Sequence, residues 1–247
     1  MHKVLVAFIG IKRLGIIGGL GPQTSCKFCL NINQKFIRFS NRQPDIVLEN
    51  VPISKSAEQD LINGEPSAEA FELISRAVKR LNSAGADVIA MPCNTAHRFI
   101  SQLRKISKKP ILSIIDECAK ECKKNNFEKV LILGSTATIK AKMHQIALKK
   151  FKIKTTLVRK KDQEAISNVI IRILNNNSSE ADVQKLLGVI SESQKRGAQA
   201  VIFGCTDLQL LIPKTKCAIP VIDTCEVLEN ASVRCLLNNK SVMGGFE

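Results

Sequence analysis

Two stretches decide the fold: GADVIAMPCNTAHRF at 85–99 and GAQAVIFGCTDLQLL at 197–211. Each opens Gly-Ala, runs through a Val/Ile-rich segment of strand character, and reaches a cysteine followed by small polar residues. The surrounding parts recur in the same order. LGIIGG at 14–19 corresponds to VLILGS at 130–135, and KPILSIIDEC at 109–118 to IPVIDTC at 219–225. Between these marks the chain alternates strand and helix. LGIIGGLGPQTS at 14–25 reads as a buried strand, a glycine turn and a helix start, with helix to about residue 40. DIVLENV at 45–51 is a strand and the polar stretch after it a loop. EAFELISRAVKRLNSAG at 69–85 has helical spacing, ADVIAMP is a strand, and helix resumes after Asn94. KPILSIIDECAKEC predicts a strand then a helix, and KVLILGSTATI at 129–139 restarts the cycle.

Strands alternating with helices imply parallel sheets flanked by helices. The repeat implies an α/β protein of two similar αβα domains, each with a parallel sheet, related by a pseudo-twofold. The expected division is 11–110 plus 220–247 for the first domain and 111–219 for the second, with residues 1–10 an appended segment. Ligands of open α/β sheets lie beyond the carboxyl ends of the strands. If both halves turn those ends toward one cleft, Cys93 and Cys205 face each other across it.

Two opposed thiols suit proton transfer at a stereocentre, because inversion needs a base on one face of the carbon and an acid on the other. Free Cys has a pKa of about 8.5, so a modest depression would supply a thiolate near neutrality. Helix N-termini behind both cysteines would favour the anion and grip a substrate carboxylate.

Composition narrows the alternatives. The chain has 247 residues, with 37 Lys and Arg against 22 acidic residues, a formal charge of +15. The basic residues are scattered in short groups, and with no Trp or Tyr there is little to stack on bases. A solvated basic surface that steers anionic substrates is the expectation, not nucleic-acid binding. Nine cysteines, an odd number without disulfide-framework spacing, point to a reducing cytoplasm. MHKVLVAFIGIKR at 1–13 reads as neither a secretory signal nor a membrane span. Cys26 and Cys29, like Cys118 and Cys122, read as small helix residues, since no partner pair at zinc spacing lies near.

The motifs GIIGGLGPQTS at 15–25, MPCNTAH at 91–97 and GCTDL at 204–208, in this order, resemble those of the aspartate/glutamate racemases that work without pyridoxal phosphate. The resemblance runs from about Lys12 to Val233. It implies proton transfer by Cys93 and Cys205 and substrate binding by Asn94, Thr95, Ala96 and Thr206. It also implies a loop at Gly21, Pro22 and Gln23 that closes the cleft. His97 reads as a helix-cap or supporting residue and not as a catalyst. No cofactor or metal is implied; a homodimer is, and so is a small amino-acid substrate bearing carboxylates. Aspartate leads, then glutamate; maleate isomerisation, malonate decarboxylation and carboxylate binding without catalysis stand as alternatives. The sequence departs from the pattern where aspartate-acting members often carry PDRT. Here PISKSAEQD at 52–60 places Ser56 at the Arg, with Lys55 beside it as the candidate for the distal carboxylate. A second basic position falls near Asn175, and Asp207 stands where Glu commonly follows GCT.

Overall fold

The structure, a computed structural model, describes residues 12–237; the segment 1–10 lies outside the described residues. In chain order the strands are β1 (Arg13–Gly18), β2 (Asp45–Asn50), β3 (Val88–Ala90), β4 (Lys129–Leu133), β5 (Lys154–Leu157), β6 (Ala200–Phe203) and β7 (Val221–Asp223). The helices are α1 (Pro22–Ile37), α2 (Lys55–Asn63), α3 (Ala68–Ser83), α4 (Ile100–Ile106), α5 (Ile114–Lys124), α6 (Thr136–Lys140), α7 (Met143–Lys149), α8 (Lys160–Leu174), α9 (Glu180–Lys195), α10 (Leu208–Leu211) and α11 (Thr224–Leu236).

All strand pairings are parallel, in two sheets ordered β2-β1-β3 and β5-β4-β6-β7. A single parallel bridge from Ile89 to Ile111 extends the first sheet beyond β3. The two sheets thus share one order, as the internal repeat requires. The central strands are apolar and buried along nearly their whole length, the pattern of parallel strands covered on both faces.

Two expectations are corrected. The strand predicted at KPILSII contracts to the one bridge at Ile111, because Ser113 already caps α5 by accepting from the Asp116 amide at 3.1 Å. The polar loop predicted after β2 contains α2, capped by Ser54, whose Oγ accepts from the Ala57 amide at 3.2 Å.

The last helix of each sheet crosses to the other half. α11, which follows β7 of the second sheet, packs on α1, β1 and β3, whereas α5 packs on α7, β7 and α11. One apolar core therefore runs through both halves, joining Leu14 and Ile16 to Val130 and Ile132 through Ile114, Cys118, Cys225 and Leu228.

Candidate active site

Cys93 and Cys205 each sit just beyond the carboxyl end of a buried central strand, β3 and β6. The two strand ends meet: the Thr206 hydroxyl donates to the Pro92 carbonyl at 3.0 Å. Both thiols line one cavity of about 30 Å³, together with Leu20, Glu58, Leu61, Ile62, Asn94, Thr95, Ile170, Thr206 and Asp207. That volume has room for a water or two and not for an amino acid, so a substrate enters only when a wall moves. α2 supplies Glu58, Leu61 and Ile62 to that wall.

Electrostatics here oppose ionisation of the thiols. Burial pushes Cys93 up to about 12, with Asp207 and Glu58 adding to the rise, while the backbone N–H groups of Ala96 and Thr95 at its sulfur pull the other way. Cys205 is also held well above its ordinary value, by burial first and then by Asp207. It rests as a thiol that donates to Asp207 Oδ2 at 3.6 Å. The sequence led us to expect a depressed thiol pKa; both are raised, because the thiols are buried, no cation among the described residues lines the cavity, and the elements after the cysteines are short. Beyond Cys93 comes a five-residue 3-10 turn, Thr95–Phe99, and beyond Cys205 the four-residue α10.

Asp207 is the hub of the closed site. Its Oδ1 accepts from Thr24 Oγ1 at 2.6 Å, and burial raises its own pKa. A Cβ at Gly21, whose φ is +91°, would stand 2.8 Å from Asp207 Oδ1, so the glycine of the first turn leaves room for this carboxylate. Exposed Gln23 on the same loop donates to Asn176 Oδ1 at 2.7 Å, bridging to the turn after α8. Asn175 is exposed and its amide caps Ile171 O at 3.0 Å.

The other implied residues are tied into the scaffold. Asn94, buried, donates through Nδ2 to Thr224 Oγ1 at 2.8 Å, and Thr224 donates on to the Phe203 carbonyl at 2.7 Å. Its Oδ1 lies 2.9 Å from His144 Nε2. Thr95 shares a hydroxyl cluster with Ser135 and Thr138, at 3.1 and 3.2 Å. Ala96 is fully buried. His97 accepts the Ile114 amide at Nε2, 3.1 Å, which leaves the proton on Nδ1 to be donated to the Cys93 carbonyl at 2.8 Å. Burial lowers His97 to about 4 and His144 to about 3, so both are neutral imidazoles. Lys55, the first residue of α2, is exposed and does not line the cavity.

The sequence and the fold are matched by known proteins. The Asp/Glu/Hydantoin racemase family model covers residues 17–231. The chain belongs to that family. It is an isomerase, an amino-acid racemase. The chain is 29% identical over 235 residues to the broad specificity amino-acid racemase RacX of Bacillus subtilis, covering 92% of this chain and all of that one. It superposes on Picrophilus torridus aspartate racemase with a TM-score of 0.75 at 26% identity, over 91% of this chain and 94% of that one. The glutamate racemase of Francisella tularensis, solved with D-glutamate, shares the fold at a TM-score of 0.65 and 18% identity, over 93% and 82% of the two chains.

Within this racemase, several site residues escaped the sequence reading. Glu58, Leu61 and Ile62 lie on the unread helix. Leu20 lies in the stretch read as a glycine turn and Ile170 on α8, and Thr24, His144 and Thr224 act through contacts distant in sequence. Only α2 left a local signal, Ser54 ahead of Ala57, Leu61 and Ile62 at helical spacing.

Proposed function

We propose that the protein racemises a free α-amino acid by two-base proton transfer between Cys93 and Cys205. The observation that supports this reading is that both thiols, one from each half of the molecule, line a single cavity. A thiolate on one side takes the Cα proton, and the C–H electron pair moves into the α-carboxylate. The opposite thiol then delivers its proton to the other face of Cα, ending as the thiolate. The backbone N–H groups of Thr95 and Ala96 stabilise the Cys93 anion.

Raised thiol pKa values keep the empty site protonated, and the substrate's α-ammonium supplies the missing positive charge, so the thiolate forms in the complex. The aspartate expected from the resemblance requires a cation for its distal carboxylate, and exposed Lys55 lies off the cavity wall.

Cys93→Ser and Cys205→Ser should each abolish racemisation, since both directions use both groups. General acid–base catalysis contributes roughly two to four powers of ten in rate. Each variant should still exchange Cα–H for solvent deuterium from one enantiomer only, and the two variants should choose opposite enantiomers, as followed by NMR. Near wild-type racemisation by either variant rejects the two-base reading.

A further inference from the structure

Transfer between two resting thiols leaves a proton to be placed. Cys93 and Cys205 are both protonated in the empty site. One of them must lose its proton before it can take the Cα hydrogen, and after inversion the other must regain one. Both movements need a group at the cavity that can hold a proton. Two carboxylic acids line it, Asp207 and Glu58. Asp207 is buried, with Oδ1 taken by Thr24 and Oδ2 by the Cys205 thiol. It is fixed to one thiol and has no free oxygen for the other. Glu58 is half-buried, and no hydrogen bond or ion pair to any described residue reaches its carboxylate. It is the free acid of a cavity that both thiols share.

We infer that Glu58 is the proton carrier of the racemase, taking the proton that one thiol sheds when substrate binds and returning it to the opposite thiol when product leaves. This rests on the two-base reading above. In the first step an S–H bond breaks, its electron pair stays on sulfur, and the proton adds to a Glu58 oxygen. The new thiolate takes the Cα proton, and the opposite thiol gives its own to the other face and becomes the thiolate. Glu58 then protonates that sulfur, and all three groups stand as they began. The cavity has room for a water to bridge either path. The surrounding charges suit a carrier. Burial and Asp207 raise the Glu58 pKa above its ordinary value, while Lys55, one turn earlier on α2, lowers it; a proton acceptor works best when its pKa lies near the working pH. Charged groups on the elements packed against α2 are engaged elsewhere. Glu69 of α3 accepts from the Ser54 amide and hydroxyl, both at 3.0 Å, Arg98 donates to the Glu65 carbonyl at 3.2 Å, and Lys140 of α6 runs past Gly64 at the far end of the helix. α8 brings apolar Ile170 to the cavity.

A carrier and a bystander differ in sign. The Glu58 charge opposes ionisation of Cys93, so a bystander's removal would quicken the enzyme near neutrality. The experiment is the pH profile of kcat/KM, measured with whichever protein L-amino acid the wild-type enzyme racemises fastest. Glu58→Gln should lose roughly a hundredfold at pH 7, and the deficit should close as pH rises, because hydroxide then takes the thiol proton. Glu58→Asp keeps a carboxylate and should recover most of the loss at pH 7. Unchanged or faster turnover by Glu58→Gln at pH 7 overturns the inference. So does a loss of equal size at every pH, or a Glu58→Asp profile as steep as that of Glu58→Gln. Each of these leaves the racemase standing, since the cysteine variants test that reading separately. If the folded wild-type protein racemises no amino acid, the racemase reading falls and takes this one with it. Should Glu58→Gln fail to fold, Glu58→Ala is read in its place. Formate, a carboxylate small enough for the space left, should then restore part of the rate at pH 7, and no restoration overturns the inference.

Discussion

Asp207 shows how one buried carboxylate sets the chemistry of its neighbours. It accepts from Thr24 and Cys205 and its charge helps to raise the pKa of both thiols. Asp207→Asn keeps the shape and removes the charge. We predict that the alkaline rise of kcat/KM, which reports formation of the thiolate, moves to lower pH in this variant. Alkylation of Cys93 and Cys205 by iodoacetamide should quicken at any fixed pH for the same reason. A rise that stays in place would mean that Asp207 is already neutral when the thiols ionise. The two cysteines were legible in the sequence because their setting is local: an apolar strand run, then Cys and a small polar residue. Glu58 was not, since a glutamate on a polar nine-residue helix looks like any solvated face until the tertiary structure turns that helix onto the cavity. The thiol pKa was misjudged for a related reason: desolvation and a carboxylate supplied by residues in contact only in the fold outweigh the few backbone N–H groups that the local motif provides.

At the scale of elements, α2 is the piece the sequence concealed and the site depends on. Its nine residues bury only Ala57, Leu61 and Ile62, too few for an isolated helix, so its stability comes from docking on α3, α6, α8 and the turn after Cys93. The central strands were plain because continuous Val/Ile runs between glycine turns admit few other readings. The strand at Ile111 shrank because Ser113 begins a helix at once. Gly64 ends α2 with φ +87°, and a Cβ there would lie 3.2 Å from the Ala137 Cα of α6. Gly64→Ala therefore combines a left-handed backbone, about 1 kcal/mol, with a backbone contact that must give. We expect the thermal midpoint to fall by about 2–8 °C, with kcat/KM reduced because the cavity wall is displaced. Gly188 provides the contrast: it lies within α9 and a Cβ there meets nothing within 4 Å. Gly188→Ala should raise stability by about 0.5–1 kcal/mol. Equal effects of the two changes on thermal melting would contradict this reading of α2.

The whole molecule carries two neutral histidines where its halves meet. His97 ties the Cys93 carbonyl to the start of α5, and His144, on α7 beyond the second sheet's first strand, reaches Asn94 of the first half. Burial holds them near 4 and 3, against 6.5 for an unburied imidazole. In the unfolded chain both take up protons as pH falls through about 6.5, whereas in the folded chain they do not until far lower. Through these two groups the unfolded state binds more protons in this window, and their contribution to stability must decline as pH falls. The stabilising contribution is fully present above the unfolded pKa and is lost as pH drops toward the folded values. Two such groups give a slope approaching about 2.7 kcal/mol per pH unit. Burial raises the carboxyl pKa of Glu58, Asp207, Asp223 and Glu229, which acts in the opposite sense, so the histidine contribution is read from the difference between the wild-type protein and a His144 variant; the chain's third histidine, His2, lies outside the described residues. Urea unfolding of both proteins at pH 7, 6 and 5 gives that difference. His144→Gln, which keeps an N–H for Asn94, should remove roughly half of the histidine slope while lowering stability at pH 7. An unchanged slope in that variant would show that His144 is protonated in the folded protein, and that the join between the halves is held by a charged imidazole.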